Sequence, residues 1–304
     1  MLLDYVSPER RRPEEGVRVA GLIDLAEIVA RGMLRGVDPA DAREMSRTLA
    51  GRDELWNQSR VFVDPMKRLT YDSGVTYDGK PLPTAQSLRG MMEGGEGQSI
   101  REYLDGTQLG DTLAADPLAA AHIDNTRIGV TGLPGGYGAG YTPATMFKAG
   151  DQYRVVQPGF VAINANSDPA KQVGYFEHEL QHLLQNIFGH SRGTNLDEMS
   201  NDRMDYFTET GRMNPQSIGE LDAFAKQSGT SLDYNRYLHS LGEAEARAAE
   251  RTTQHPVLTK VMPGADRYTW TDDGTKVNAG LLFHVPQYDE ADFKKWWKQK
   301  WSGN

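Results

Sequence analysis

The residues of this sequence best suited to chemistry lie in the run His178-Glu179-Leu180-Gln181-His182. On a helix, His178 and His182 are one turn apart on one face, with Cβ atoms about 6 Å apart, so both imidazoles can reach a single tetrahedral Zn²⁺ ion. Glu179 lies roughly 100° further round the helix. From there its carboxylate can act as a general base towards a water molecule that zinc has made acidic. The pattern therefore predicts a hydrolytic zinc site.

The residues around this motif predict the helix that it requires. Ser167-Asp168-Pro169 is a helix start signal, with Ser167 or Asp168 as N-cap and Pro169 in the first turn. Gly189 suits the position after the last turn. Large apolar residues recur at three- and four-residue steps: Val173, Phe176, Leu180, Leu183, Leu184 and Ile187. We expect a packed helix with the histidine pair embedded in it.

A zinc site of this kind needs a third protein ligand, and the preferred candidate is Glu243. It lies in 241–251, a predicted helix whose small residues allow close packing on the histidine helix. Glu243 and Glu245 are about 200° apart on a helix, so only one of them can face the metal. We choose Glu243 because Arg247 then lies one turn further on the same side, as a group that orients a ligand or meets a substrate carboxylate.

Two alternatives to Glu243 stay open. Glu245 is the first, because the sequence alone does not fix which face of the helix meets the metal. Asp197 is the second, since Gly193-Thr194-Asn195-Leu196-Asp197 is similar to the Gly-Thr-x-Asp of aspzincins with one additional residue. A metzincin site is excluded, because Phe188 stands where that pattern requires histidine.

The composition excludes several classes of protein. The 304 residues carry a net charge of −9 and no cysteine. The negative charge argues against general nucleic-acid binding, which uses a basic surface, and the absence of cysteine excludes disulfides and thiolate zinc sites. No apolar run approaches the roughly 18 residues of a membrane span. The first residues lack the order of a secretory signal.

The pattern of elements predicts an α+β fold, mostly helical, with a small sheet packed against the histidine helix. Strands are predicted at 126–131, 152–156 and 160–164, the last two joined by a hairpin turn at Gln157-Pro158-Gly159. The glycine-rich run 133–141 lacks the phosphate-loop pattern and predicts a turn between strands. An edge strand near the metal can pair with an extended peptide substrate.

Helices flank these strands in the prediction. They fall at 20–31 and 40–49, near 99–104, and at 196–207, 217–226 and 232–253, and a last one at 289–301 is aromatic and basic. We expect three parts: a helical and loop-rich region over 1–125, a metallopeptidase core over 126–260, and a C-terminal extension over 261–304 that ends in the aromatic helix.

Two segments together resemble a known family. Phe176-Glu177-His178-Glu179-Leu180-Gln181-His182-Leu183-Leu184-Gln185, followed by Gly189-His190-Ser191-Arg192-Gly193, and the later Gly242-Glu243-Ala244-Glu245-Ala246-Arg247 resemble the predicted metallopeptidase type of large polyvalent protein-associated domains of phages and mobile genetic elements. The resemblance covers about residues 150–255. It implies a zincin-like fold, and it marks His178, Glu179, His182, Glu243, Glu245 and Arg247, with Gln181 as a supporting group.

The resemblance also bears on partners and location. It implies a phage or mobile-element origin, a protein or peptide substrate, virion or other phage proteins as further partners, and a place in the cytoplasm of a bacterial host or in the virion. The leading hypothesis is a gluzincin-like zinc metallopeptidase with His178, His182 and Glu243 as ligands and Glu179 as base. The alternative is a virion-associated structural protein that keeps the fold without proteolysis. A weaker third is a zinc hydrolase acting on non-peptide amides.

The group that stabilises the oxyanion is left open by the sequence. Four residues have suitable side chains: Tyr234, Tyr237, His239 and Arg247.

Overall fold

The computed structural model describes residues 33–34, 37–59, 61–63, 69–71, 80–134, 137–150, 152–188, 194, 196–254, 277–286 and 288–302. They form two compact units. The sheet unit comprises the described residues between 23 and 193 and between 242 and 279. The helical unit comprises those between 194 and 241 and between 280 and 304. The helix predicted at 20–31 lies outside the described residues, and the boundaries predicted near 125 and 260 stay predictions.

Most of the described helices begin at an N-cap residue whose side chain accepts a hydrogen bond from the first turn, and such residues are recognisable in the sequence. Asp38, Asp168 and Asp289 each accept a hydrogen bond from the backbone N–H two residues on, at 2.7, 2.9 and 2.8 Å. The helices are α1 (Pro39–Met45), α2 (Leu49–Ser59), α3 (Leu88–Met92), α4 (Ile100–Tyr103), α5 (Gln108–Ala115), α6 (Pro117–Asp124), α7 (Pro169–Phe188), α8 (Asn201–Glu209), α9 (Pro215–Ser228), α10 (Leu232–His239), α11 (Leu241–Gln254) and α12 (Glu290–Trp301).

The strands in the described part of the chain form one mixed sheet and two small ribbons. They are β1 (Val61–Val63), β2 (Leu69–Tyr71), β3 (Gln98–Ser99), β4 (Thr126–Thr131), β5 (Ala139–Thr142), β6 (Thr145–Ala149), β7 (Gln152–Gln157) and β8 (Gly159–Asn164). The main sheet has the order β3-β4-β8-β5, and the ribbons are β1-β2 and β6-β7. β8 runs parallel to β4 and antiparallel to β5.

The predicted hairpin at Gln157-Pro158-Gly159 is wrong. β7 pairs with β6, whereas β8 lies between β4 and β5 in the main sheet. The burial of the two strands explains the separation. Every residue of β8 is buried, as a central strand requires, while β7 alternates between exposed and half-buried positions. The chain therefore leaves one sheet and enters another across a turn whose local sequence is typical of a hairpin.

The core of the sheet unit lies between the main sheet and α7. Helix α7 packs on β5 and β8 and buries Phe176, Leu180, Leu183 and Leu184 completely. These residues join one apolar cluster with Ile128, Val161 and Ile163 of the sheet and with leucines of α5. The predicted fold class is confirmed: the chain is α+β and mostly helical, with a small mixed sheet packed against the helix that carries His178 and His182.

The helical unit has its own core. Phe207 and Tyr206 of α8 contact Tyr288, and Phe293 and Trp296 of α12 also pack on Tyr206.

The single helix predicted over 232–253 is wrong, because Ser240 is extended and separates α10 from α11. The backbone around Ser240 instead pairs with Phe283: Leu241 N–H donates to Phe283 O at 2.8 Å and Phe283 N–H donates to His239 O at 3.1 Å.

Candidate metal centre

Helix α7 places the two imidazoles of the motif side by side. Its apolar residues point into the core, which leaves His178 and His182 together at the edge of the buried surface. Their ring centroids are 4.8 Å apart and the rings are nearly perpendicular, at 80°. The one-turn spacing thus produces the paired imidazoles that the sequence predicted, with one ring almost edge-on to the other.

Helix α11 brings a carboxylate to this pair. The helix carries Gly242 and four buried alanines. Its first turn is joined to α7 by the Gln185 side-chain amide, which donates to Gly242 O at 2.9 Å. Glu243 is only 1% exposed. Its Oε2 lies 3.5 Å from Nε2 of His178, and its Oε1 lies 3.4 Å from Nε2 of His182.

These three side chains fit a cation site by the chemistry of their atoms. One nitrogen of each imidazole and one oxygen of Glu243 lie within 4.8 Å of one another. Imidazole nitrogen and carboxylate oxygen are both zinc ligands in proteins, and a set of two histidines and one glutamate leaves one position free for a reactant. The structure therefore assembles a His-His-Glu group that can hold a metal ion, from residues on two helices.

The charges of this group stabilise one another. Burial by itself raises the pKa of Glu243, but the His182 charge and the hydrogen bonds with both imidazoles outweigh burial, so this pKa lies well below its usual range. Burial by itself lowers the pKa of His178, but hydrogen bonds with Glu243 and Glu250 raise it to about 10. His182 follows the same pattern, with Glu243 as the group that raises its pKa above the usual value. A fixed negative charge thus lies between two imidazole nitrogens.

Glu179 lies beside the His-His-Glu group, and the pKa of its carboxyl is shifted in the opposite direction from that of Glu243. It is buried, and burial is the main reason that its pKa is raised. The charges of His178 and His182 oppose the rise, while those of Glu243 and Glu250 add to it. A buried carboxyl beside the two histidines can act as a proton acceptor and donor in this site. Glu179 and Glu243 therefore have opposite pKa shifts within one site.

Two further residues of the predicted site, Glu245 and Arg247, are not part of the His-His-Glu group. Glu245 is buried, and its Oε2 accepts a hydrogen bond from Gln185 at 2.9 Å. Arg247 is partly buried on the same helix. Asp197 begins a 3₁₀ turn, Asp197–Met199, in the helical unit, and its side chain lies outside the described part of the structure.

The structure adds three residues that the sequence did not single out as site residues. Nδ1 of His178 lies 3.2 Å from Oε2 of Glu250, and Nδ1 of His182 lies 2.8 Å from Oε1 of Gln185. Glu250 falls seven residues after Glu243, two helical turns on, and this spacing is the signal that marks it. The third residue is Tyr141.

Tyr141 projects from a strand that was predicted as a turn. Residues 139–142 form β5 rather than a turn, and Tyr141 pairs there with Val161. The Tyr141 hydroxyl is buried. Burial raises its pKa, the nearby Asn186 side chain opposes the rise, and the charge of Glu179 adds to it. The Tyr141 hydroxyl thus lies near enough to Glu179, the predicted general base, for the charge of Glu179 to affect its pKa.

Comparisons with protein-family models, curated proteins and solved structures find no match to this chain. Among the described residues, no helix is both long and apolar enough to cross a membrane.

Proposed function

We propose that this chain is a zinc-dependent peptidase of gluzincin type, encoded by a phage or mobile element. The observation that carries the proposal is the buried group of His178, His182 and Glu243, with Glu179 between the two histidines in sequence and buried in the same site. A structural metal site does not need a further carboxyl beside its ligands, whereas hydrolysis needs a group that takes a proton from the attacking water.

The protein groups have distinct roles in the reaction. His178, His182 and Glu243 would hold the ion, and zinc held by such a group would supply Lewis-acid activation of a water molecule and of a carbonyl. Glu179 takes a proton from the attacking water. As oxygen bonds to the carbonyl carbon and the C–N bond breaks, Glu179 returns that proton to the departing amine, and the proton of the new carboxylic acid then passes to the amine, so the products are a carboxylate and an ammonium group.

An extended peptide is the substrate that the sheet favours. Among the described strands, β5 pairs only with β8 and therefore forms one edge of the main sheet. Helix α7 packs against β5. An edge strand can add a peptide segment by backbone hydrogen bonding, which would bring its carbonyls near the helix that carries Glu179. Virion or other phage proteins are the proposed source of such segments.

The test of this function is proteolysis by the Glu179→Gln variant, using a quenched fluorescent peptide library. We expect turnover to fall by a factor of about 10² to 10⁴, with zinc content equal to that of the wild type. Wild-type protein that binds zinc but cleaves no member of the library would contradict the peptidase. That result would favour the alternative of a structural, virion-associated protein.

A further inference from the structure

Each of the two histidines has a hydrogen-bonding partner on the side of its ring away from Glu243. His178 meets Glu250, His182 meets Gln185, and Gln185 in turn meets Glu245. We infer that Gln185, Glu245 and Glu250 are positioning residues that hold both imidazoles with Nδ1 protonated and Nε2 turned to the metal. The inference deepens the proposed function and rests on it, because it assigns the residues that prepare the ligands.

The orientation of the Gln185 amide is fixed by two acceptors. Its Nε2 donates to Gly242 O and to Oε2 of Glu245, both at 2.9 Å. Turning the amide over would direct its oxygen at a carbonyl and a carboxylate, which repel it and leave two buried acceptors unmet. Glu245 therefore serves to fix Gln185 and does not compete with Glu243 for the ion.

The fixed amide determines the tautomer of His182. Oε1 of Gln185 lies 2.8 Å from Nδ1 of His182 and can only accept, so Nδ1 must carry the proton. The lone pair of the neutral ring is then on Nε2, the atom 3.4 Å from Glu243. A histidine ligand whose other nitrogen donates to a fixed acceptor has its ring orientation and its donor atom set in advance.

Glu250 has the same effect on His178 from the other helix. Its carboxylate lies 3.2 Å from Nδ1 of His178, on the opposite side of the ring from Glu243, which faces Nε2 at 3.5 Å. Glu250 is nearly buried. A carboxylate in that place accepts a hydrogen bond from Nδ1–H and makes the lone pair of Nε2 a stronger ligand for a cation. Helix α11 thus supplies one ligand, Glu243, and the partner of another ligand two turns later.

The direct test is the long-range ¹H–¹⁵N spectrum of the zinc-loaded protein labelled with [¹⁵N]histidine. The chemical shifts show which nitrogen of each ring carries a proton and which binds metal. We expect two rings with protonated Nδ1 and zinc-bound Nε2. Zinc on Nδ1 of either ring would overturn the inference while leaving the metal site intact. Failure to bind any zinc would instead overturn the proposed function, and this inference with it.

Zinc affinity, measured by competition with a chelator, tests the individual residues. We expect Gln185→Met and Glu250→Ala each to weaken binding about 10- to 100-fold. Glu250→Gln keeps an oxygen acceptor and is expected to recover most of that loss. If Glu250→Gln bound zinc as weakly as Glu250→Ala, the role of Glu250 as acceptor would be refuted.

Gln172→Met supplies the matched control for Gln185→Met. Gln172 lies near the start of α7, where its amide donates to Asn164 O at 3.2 Å and Ser167 O at 3.3 Å. The same substitution there removes hydrogen bonds from the same helix away from the histidines, so we expect unchanged zinc affinity. An equal loss in both variants would show that general loosening of α7, and not the orientation of His182, sets the affinity.

Discussion

Nε2 of His178 and Oε2 of Glu243 lie 3.5 Å apart, although one belongs to α7 and the other to α11. The other oxygen of Glu243 reaches His182, so one carboxylate contacts both imidazoles of the motif. This contact separates the two glutamates of the Glu-x-Glu segment by function. Glu243 faces the histidines, and Glu245 faces Gln185.

The hydroxyl of Tyr141 is the first feature to test by turnover. Because this hydroxyl is buried and its pKa is affected by the charge of Glu179, we propose that it donates to the oxyanion that forms when water attacks. We expect Tyr141→Phe to lower kcat by about 10²-fold, the loss typical of one oxyanion donor, with zinc content unchanged.

Tyr103→Phe is the control for this substitution. Tyr103 is also buried in the sheet unit, and its hydroxyl donates to Lys80 O at 3.4 Å. Loss of that hydroxyl is expected to leave kcat unchanged. A Tyr141→Phe variant with wild-type kcat would show that its hydroxyl does not meet the reacting atoms.

His122 predicts a pH dependence of stability that is separate from the metal centre. Burial lowers its pKa from 6.5 to about 4. The unfolded chain therefore binds a proton between these values and the folded chain does not. The contribution of His122 to the free energy of unfolding is therefore fully present above pH 6.5. It falls by roughly 3 kcal/mol in total as the pH is lowered towards 4.

The measurement is the free energy of unfolding in urea at pH 7 and at pH 4.5, for wild type and His122→Leu. The contributions of carboxylates that titrate in both proteins cancel when the two changes in unfolding free energy are compared. We expect wild type to lose more stability than the variant between the two pH values. Equal losses would mean that His122 is protonated as readily in the folded protein as in the unfolded chain.

The helical unit depends on one buried guanidinium. Arg236 donates to both oxygens of Asp222 at 2.8 and 2.7 Å, and its Nη1 donates to Met199 O and to Asn201, each at 2.9 Å. Arg236→Met leaves these acceptors without their donor, and we expect a loss of about 3 kcal/mol in unfolding free energy. Asp233 is 50% exposed and 3.6 Å from Arg236, so Asp233→Asn should cost less than about 1 kcal/mol. Similar losses in the two variants would contradict this account.

The parts of the fold that follow from local sequence could be predicted. The start of α7 at Asp168 and its apolar repeat were predicted from the sequence and are confirmed. Strand pairing was not predictable in the same way. The turn before Gly159 is typical of a hairpin, yet β8 is buried on both faces and takes β4 and β5 as neighbours. Which strands pair with β8 depends on how the whole sheet buries the two faces of that strand.

The site shows the same division. The spacing of His178 and His182 is a local property of one helix, and the small residues of α11 indicated that Glu243 can approach them. Gln185 and Glu250 acquire their roles only through contacts between α7 and α11. The break between α10 and α11 at Ser240 likewise accompanies pairing with Phe283, which is distant in sequence. The local sequence does not predict this break.

The most direct test of the account is the zinc content of protein purified without added metal, by elemental analysis. Wild type is expected to contain about one zinc per chain, as a site with three protein ligands holds. His182→Ala and Glu243→Ala should lose the metal, and Glu245→Ala should retain most of it. Zinc that persists in Glu243→Ala but leaves Glu245→Ala would contradict the assignment of the third ligand. Wild-type protein that takes up no zinc, even when it is supplied, would contradict the metal centre itself.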